Sequence, residues 1–247
     1  MGAHAKLRTA SVPLHRHDCG LCSLQGWCWL PGLEESDLKR LSTIVRHSRP
    51  LLAGHHLFRA GDPFTAIYAV NSGCIKSYTT DLQGHEHVRD FHLPGELLGF
   101  DAAYPERHHF NALIIKAASV CIIPYRDIAG LSREFPGLQT RILALMSRDF
   151  SRQQICVEGS DAKQQIAIFL FDIEGRLRRQ YNADYEFDLP MSQEDIADYL
   201  RFSPETVSRV ISRLQQAGVI HVDRRHVRFL DVARLGQIAQ GVGLDPK

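Results

Sequence analysis

Residues 192–230 constrain the fold of this 247-residue chain more than any other stretch. Ser192 can cap a first short helix, and Ser203 followed by Pro204 supplies the cap and the first position of a second helix. Gly218 provides the residue at which that second helix ends. Two short helices joined by a tight turn predict a helix-turn-helix, and the run VIHVDRRHVRFL after them predicts two small strands that form a wing.

The polar face of the second predicted helix carries side chains that can read DNA. Glu205, Ser208 and Arg209 lie near the end of the helix that meets base edges when such a motif docks. An arginine can hold guanine O6 and N7 through two parallel hydrogen bonds, a glutamate can accept from cytosine N4, and a serine can reach a base edge or a phosphate. Thr206 and Arg213, the latter better placed for a phosphate, complete the predicted DNA-contacting set. The alternative is an exposed ion pair between Glu205 and Arg209, worth only about 0.3–0.5 kcal/mol.

Residues 50–125 follow a different pattern, in which short apolar runs alternate with turn signals. The runs AIYAV, CIKSYTT, HVRDFHL, NALIIK and SVCIIP have the length and composition of strands. Turn signals separate them, among them Asn71-Ser72-Gly73 and Pro94-Gly95. Many short strands at regular spacing predict an antiparallel barrel, sandwich or jelly roll. Before this region, residues 33–47 have the spacing of a short amphipathic helix.

From Phe135 to Val157, apolar residues recur every three or four positions, which predicts a helix of more than twenty residues. A long helix with a narrow apolar seam typically packs on a partner helix, often its own copy, and the alternative is packing on the β-domain. Two copies of Asp149 in such a seam would repel each other, and a weak seam suits a switch. The alternative for this charge is that it points to solvent. The predicted seam consists of Leu138, Ile142, Leu145, Met146, Asp149, Phe150 and Gln153.

Three of the six cysteines, Cys19, Cys22 and Cys28, form a C-x2-C-x5-C pattern in a short irregular segment. Thiolates this close in sequence can converge on one metal centre, for which a fourth ligand must come from elsewhere in the fold. Four thiolates suit zinc or an iron–sulfur cluster, and a thiol redox switch is a further alternative. Cys74 and Cys156 are expected to be core residues, because a buried free cysteine behaves as a small hydrophobe.

Nearly the whole chain resembles the CRP/FNR family of dimeric transcription regulators. The stretch PETVSRVISRLQQAGVI resembles the recognition helix of that family, and the E-x-x-S-R pattern at Glu205, Ser208 and Arg209 is similar to that of its FNR branch. The resemblance implies that these side chains read a TTGAT half-site, repeated with inverted symmetry in double-stranded DNA. It also implies a homodimer that acts mainly as an activator and contacts RNA polymerase.

The same resemblance gives the cysteines a role. In the oxygen sensors of the FNR branch, an N-terminal cysteine pattern of this spacing works with a distant cysteine late in the β-roll, and Cys121 in SVCIIPY matches that place. The resemblance therefore implies a [4Fe–4S] cluster that oxygen degrades, which weakens the dimer. A cofactor that binds the dimer-competent form stabilises that form by mass action. The implied ligands are Cys19, Cys22, Cys28 and Cys121.

An α+β fold in four segments is the architecture that this resemblance implies. Residues 1–32 would form a cysteine-rich segment that binds the cluster. Residues 33–134 would form an antiparallel β-roll of jelly-roll type, like that of cyclic-nucleotide-binding domains. Residues 135–159 would form the dimerisation helix, and residues 160–247 the winged helix-turn-helix domain that binds DNA.

A cyclic-nucleotide-binding module is the main alternative from another class, together with an electron-transfer protein that does not read DNA. The run PGELLG at residues 94–99 resembles the Gly-Glu-x-x-Gly stretch of the nucleotide pocket. In true receptors an Arg followed by Ser or Thr holds the cyclic phosphate, but here His108 follows Arg107. Because this phosphate grip is incomplete, no cyclic nucleotide is expected.

Composition narrows the remaining function classes. The net charge is only +1, yet residues 205–228 hold five Arg against two acids, a local balance of +3. No apolar run reaches the length of a membrane span and residues 1–17 lack the apolar core of a secretory signal, so a cytoplasmic protein is expected. The thirteen histidines show no convincing metal-pair spacing. The sequence contains no nucleophile–base constellation or phosphate-cradling loop, so an enzyme is not expected.

Overall fold

The computed structural model describes residues 14–16, 35–127, 136–153, 160–181 and 185–242, together with Cys19, Cys22, Leu24, Cys28 and Gly130. An antiparallel sheet comes first, a long helix follows, and a domain of helices with a small three-stranded sheet comes last. This arrangement confirms the predicted α+β class. In these residues no helix is long and apolar enough to cross a membrane.

The first sheet has the strand order β1-β2-β7-β4-β5, with β3 also paired to β7 and β6 to β4. Its strands are β1 (Leu14–Arg16), β2 (Arg46–Ser48), β3 (His56–Phe58), β4 (Ala66–Thr80), β5 (Glu86–His92), β6 (Leu97–Leu98) and β7 (Asn111–Pro124). The second sheet has the order β8-β10-β9, formed by β8 (Glu186–Asp188), β9 (Ile220–Asp223) and β10 (His226–Phe229). The helices are α1 (Glu35–Ile44), α2 (Pro136–Gln153), α3 (Ala162–Tyr181), α4 (Gln193–Leu200), α5 (Pro204–Gln216) and α6 (Val232–Ala239).

β4 and β7 are each longer than the sequence predicted. AIYAV and CIKSYTT, predicted as two strands, are one strand, and so are NALIIK and SVCIIP. The predicted turn at Asn71–Gly73 is therefore wrong, because this stretch is an irregularity inside β4 with register shifts between Val70 and Ile75. Gly73 has a φ of 82°, and a Cβ atom there would collide with the Ala117 carbonyl. This position inside a paired strand therefore requires glycine, a residue that is otherwise typical of turns.

α1 is shorter than the helix predicted over residues 33–47. Residues 46–48 belong to β2 instead, which pairs with β7 so that His47 lies opposite Cys121. Pairing with a long neighbouring strand outweighs the helical spacing of these positions. α2 lies within the predicted range, and residues 154–159, including Cys156, are outside the described residues.

The C-terminal domain packs α3, α4, α5, α6 and the small sheet around one apolar core. The same core takes in residues of β4 and β5, together with Leu93 just after β5, so the domain is seated directly on the first sheet. Cys74 is fully buried there, which confirms its predicted place in the core. The members contributed by the first sheet and its following loop are Cys74, Val88, Phe91 and Leu93.

Candidate nucleic-acid interface and cysteine site

Local capping fixes both helices of the predicted helix-turn-helix. At α4, Ser192 Oγ accepts from the Asp195 N–H at 3.0 Å, and the Asp195 carboxylate accepts from the Ser192 N–H at 3.2 Å. At α5, Ser203 Oγ accepts from the Thr206 N–H at 3.2 Å, with a proline at the first helical position. Gly218 follows the end of α5 with a φ of 67°. The predicted caps and the predicted helix end are confirmed.

α5 separates an apolar face from a polar face. Of the predicted contact residues, Thr206 is half-buried, and its hydroxyl lies 3.1 Å from Ser203 Oγ and accepts from Arg209 Nη2 at 3.4 Å. Thr206 is therefore engaged at the start of the helix. The buried side chains of α5 are Val207, Val210, Ile211 and Leu214. The exposed predicted contacts are Glu205, Ser208, Arg209 and Arg213.

The ionised carboxylate of Glu205 is stabilised mainly by groups at the start of α5. Its pKa lies below the ordinary value chiefly because the carboxylate accepts from its own backbone N–H, and next because Ser203 hydrogen-bonds to it. The charge of Arg209 contributes least to this shift. A simple Glu205–Arg209 ion pair is thus not what mainly stabilises the carboxylate.

An open groove, lined mostly by residues with polar side chains, lies between the first turns of α4 and α5. Hydroxyls, an amide, carboxylates and a guanidinium that face one groove can recognise base edges and phosphates. The groove gathers three of the predicted contacts, whereas Arg213 lies on the exposed face of α5 outside it. The residues that line the groove are Ser192, Gln193, Glu194, Pro204, Glu205, Ser208 and Arg209.

The hairpin of β9 and β10 forms the predicted wing. Arg224, at its turn, has a φ of 56°, and both Arg224 and Arg225 are exposed. His226 lies between two carboxylates, with Nδ1 2.9 Å from Asp188 Oδ1 and Nε2 2.9 Å from Glu186 Oε1. Hydrogen bonds from the imidazole to Asp188 and then to Glu186 raise the pKa of His226. The wing thus combines arginines that suit phosphate contacts with a group whose charge depends on pH.

The four predicted cluster ligands lie in one apolar cluster, here called the cysteine cluster, with residues of α1, β4, β7 and α2. Cys19, Cys28 and Cys121 are buried, and Cys22 is half-buried. Burial is the main cause that raises the pKa of the Cys121 thiol, and the nearness of the other three cysteines raises it further. The fold therefore brings Cys121 to a cysteine pattern that lies far earlier in the sequence.

Polar side chains also reach this cluster. His47 Nδ1 lies 3.4 Å from Cys121 Sγ, across the pairing of β2 with β7. Cys22 Sγ donates to Asn71 Oδ1 at 3.9 Å. Two of the thiols therefore have polar neighbours in otherwise apolar surroundings.

Zinc and an iron–sulfur cluster, the two kinds of metal centre that the cysteines predict, need different arrangements of their ligands. In the described part of the chain, no three His, Cys, Asp or Glu side chains are arranged to hold a metal ion. A zinc site needs four ligands that meet at one ion, with Zn–S distances of about 2.3 Å. An iron–sulfur cluster distributes its thiolates over several irons, so the thiolates need not meet at one point. The structure therefore gathers four thiols in one apolar cluster without arranging three of them around a single ion.

Two residues of the predicted dimer seam pack inside their own chain. Leu145 is 2% exposed and belongs to the cysteine cluster, against which Ile142 also packs. In the single chain, α2 thus uses this face to cover the β-domain, and a role of these two residues in a dimer stays a prediction. Met146 is 43% exposed, and Leu143, which the predicted seam leaves out, is 65% exposed. The side chains of the other predicted seam residues are outside those that the structure describes: Leu138, Asp149, Phe150 and Gln153.

The run PGELLG has its carboxylate engaged within the protein. Glu96 is 9% exposed and accepts from the Leu93 N–H at 2.9 Å and from Arg176 Nε and Nη2 at 2.8 and 2.6 Å. Arg107 donates from Nη1 to the Gly61 carbonyl at 2.7 Å. Glu96 and Arg107 are the charged residues that the resemblance to a nucleotide pocket singles out. Both therefore already have partners within the protein.

Sequence reasoning missed the polar contacts that join the C-terminal domain to the first sheet. Arg176 contacts Glu96, 80 positions away, and Lys76 contacts Asp195, 119 positions away. Glu96 lies in the run PGELLG and Asp195 in the capping box of α4, but no local signal connects either residue with its distant partner.

Comparisons with known proteins agree with this architecture. A family model described as "Crp-like helix-turn-helix domain" matches residues 164–238, and one described as "Cyclic nucleotide-binding domain" matches residues 48–135. The chain is 34% identical over 248 residues to the "Fumarate and nitrate reduction regulatory protein" of Vibrio cholerae, covering 99% of this chain and 98% of that relative. It is 36% identical over 226 residues to the "Transcriptional activator protein anr" of Pseudomonas aeruginosa, covering 90% and 93%.

Among solved structures, FixK2 from Bradyrhizobium japonicum has a TM-score of 0.71 and 22% identity, covering 79% of this chain and 97% of that one. This likeness shows the fold. A sheet domain, a long helix and a winged helix-turn-helix together define a DNA-binding transcription regulator rather than an enzyme. The chain belongs to the CRP/FNR family of transcription regulators, among relatives named as FNR and Anr proteins.

Proposed function

We propose that this chain is an oxygen-responsive transcription regulator, mainly an activator, which binds a [4Fe–4S] cluster and dimerises when the cluster is intact. The dimer binds TTGAT-type inverted repeats in double-stranded DNA. The observation that carries the proposal is that four thiols share one buried cluster while α5 exposes an E-x-x-S-R face. Two proteins named "Anaerobic regulatory protein" support the proposal. The one from Pasteurella multocida is 32% identical to this chain, and the one from Haemophilus influenzae is 34% identical.

The cysteine cluster would hold the cofactor through Cys19, Cys22, Cys28 and Cys121. When bound, an iron–sulfur cluster supplies a centre that oxidation can dismantle. The surrounding apolar side chains restrict the access of water and oxidant to the thiolates. His47, in the tautomer that carries its proton on Nδ1, can donate a hydrogen bond to the Cys121 thiolate.

The same apolar cluster connects the cysteines to α2. Leu145 and Ile142 pack on it, so a rearrangement of the cysteine segment changes the surface on which α2 rests. On the exposed side of that helix, Leu143 and Met146 offer apolar contact area to a second copy. Dimerisation through α2 would therefore respond to the state of the thiols.

The groove between α4 and α5 would receive the DNA. Arg209 is placed to grip a guanine, Glu205 to accept from a cytosine amine, and Ser208 to reach a base edge or a phosphate. Thr206 and Arg213 would make supporting contacts, Arg213 to a phosphate. In a dimer the two copies of α5 would enter major grooves about one helical turn apart.

The remaining partners follow from the family. RNA polymerase is the expected protein partner, with the exposed loop at residues 81–88 and the wing side of the C-terminal domain as candidate contacts. The protein is expected in the cytoplasm, and it is expected to bind no cyclic nucleotide because Glu96 and Arg107 are engaged within the protein.

A pair of cysteine variants tests the cluster. Cys121→Ala removes a proposed ligand, whereas Cys74→Ala removes a buried thiol of the C-terminal core and serves as the matched control. After purification without air, the wild type and Cys74→Ala should retain about four irons per chain with matching sulfide, and Cys121→Ala should lose them. Stoichiometric zinc in the wild type would contradict the cluster and indicate a zinc site instead. A metal-free protein whose DNA binding depends on thiol oxidation would contradict it and indicate a thiol redox switch.

A further inference from the structure

The C-terminal domain rests on β5 through an aromatic contact. Phe91 is 1% exposed, and its ring centroid lies 6.3 Å from that of Phe169 in α3 and 5.4 Å from that of Tyr199 in α4. Val88 of β5 joins the same core. Because this contact excludes water, charged pairs beside it are screened less than pairs on an open surface.

The first of two ion pairs beside this contact is made by Arg176 of α3. Its Nε and Nη2 donate to the two carboxylate oxygens of Glu96 at 2.8 and 2.6 Å, and Nη2 also donates to the Phe91 carbonyl. Nη1 donates to Asp172 on the same helix at 2.9 Å. The side chains of Arg176 and Glu96 are only 9% and 11% exposed. A shielded, two-pronged pair of this kind fixes direction as well as distance.

The second ion pair is made by Lys76 of β4. Its Nζ lies 2.8 Å from Asp195 Oδ1 and 2.9 Å from Glu86 Oε2, with the lysine side chain 10% exposed. Asp195 is also the residue that completes the capping box of α4 with Ser192. The carboxylate that helps to begin the helix-turn-helix is therefore tied to the first sheet. Close by, the Val88 N–H donates to the carboxylate of Asp198, which also belongs to α4.

We infer that the two pairs Arg176–Glu96 and Lys76–Asp195, here called the interdomain clamp, hold each helix-turn-helix in one orientation on its β-domain and so set the half-site spacing that the dimer accepts. The inference rests on the proposed function, because it requires a dimer that binds an inverted repeat. Two recognition helices must meet two half-sites at a fixed separation. A domain that can swing on its sheet accepts more separations but loses more orientational freedom on binding. Arg176 and Lys76 are thus positioning residues for spacing specificity.

The test compares duplexes that differ only in geometry. Protein purified without air is titrated by fluorescence anisotropy against a single TTGAT half-site, the inverted repeat with the best spacer, and repeats with one or two base pairs added or removed. The variants are Lys76→Met and Arg176→Met, with Lys39→Met as the matched control, because the ion pair of Lys39 with Glu35 on α1 is exposed. Glu96→Gln, which keeps the shape of the acceptor, replaces Arg176→Met if the latter fails to unfold cooperatively.

The clamp variants should keep single half-site affinity within about twofold, while their preference for the best spacer falls by about tenfold, equivalent to about 1.4 kcal/mol. Lys39→Met should match the wild type, and Lys76→Arg should restore the preference because it keeps a cation on Asp195. Dimerisation, measured by sedimentation, should not change.

Three results would overturn the inference. The first is a full spacer preference in every clamp variant, which would leave the proposed DNA binding intact. The second is an equal loss on the single half-site, which would mark a damaged helix-turn-helix rather than a released one. The third is a wild type that binds none of the duplexes, which would remove the proposed function and the inference with it.

Discussion

The helix-turn-helix exposes its functional side chains to solvent, whereas most thiols of the cysteine cluster are buried. On α5, charged and hydroxyl groups stay in solvent while an apolar face holds the helix to its domain. Around Cys121, three thiols are buried and Cys22 is half-buried among apolar residues from several elements. A single substitution on the exposed face of α5 should leave the surrounding structure unchanged. A substitution in the cysteine cluster should disturb its packing, and because α2 packs on this cluster, a change at the thiols should alter the position of α2.

Substitutions on the buried side should change the protein most. Leu145→Ala removes a 2%-exposed side chain from the cysteine cluster and should lower the free energy of unfolding by about 2–5 kcal/mol. Leu143→Ala, on the exposed side of the same helix, should leave that free energy within about 0.5 kcal/mol and weaken dimerisation instead. Urea unfolding and sedimentation of both variants measure the two effects. Equal stability losses would show that α2 does not divide its faces in this way.

An intermediate effect is expected on the reading face. Arg209→Ala should cost about 1–3 kcal/mol of discrimination at one base pair of the half-site, because a two-pronged contact with guanine is lost. The free energy of unfolding should hardly change, since Arg209 is exposed. Gln216→Ala, at the far end of α5, is the matched control. Competition among duplexes mutated at single positions gives the measurement, and unchanged discrimination would refute base reading by Arg209.

The smallest effect is expected at the wing. Asp188 and Glu186 raise the pKa of His226 above its ordinary value of 6.5, so the protonated form is favoured in the folded state. The stabilisation is fully present below the unfolded pKa and is lost as the pH rises through the raised folded pKa. His226→Gln should remove this part of the pH dependence of stability above about pH 6.5. Thermal unfolding across that range measures it, and identical profiles for wild type and variant would contradict the assignment.

The local features of the C-terminal domain were predictable because each depends on near neighbours in sequence. Ser192, Ser203 and Gly218 act within a few residues of their positions, and the apolar spacing of α5 fixes its buried face. The strands were harder, because the Asn71–Gly73 signal is shared by turns and by irregularities inside a strand. Only the pairing with β7 distinguishes the two.

Features that depend on distant residues were predictable only in part. Cys121 was singled out by resemblance and not by spacing, since nothing local connects it to Cys19, Cys22 and Cys28. The periodicity of α2 predicted an apolar seam but could not distinguish a second copy from the chain's own β-domain, and Leu145 packs within its own chain. The run PGELLG drew attention to Glu96, but nothing in the sequence near either residue predicts its pairing with Arg176.

One measurement tests most directly whether the buried cysteines control the exposed helix. Small amounts of oxygen are added to anaerobically purified protein while the cluster absorbance and the binding of a TTGAT inverted repeat are followed in the same samples. Both signals should fall in parallel, for the wild type and for Cys74→Ala alike. A colourless protein without iron, or tight DNA binding that air does not change, would contradict the proposed coupling.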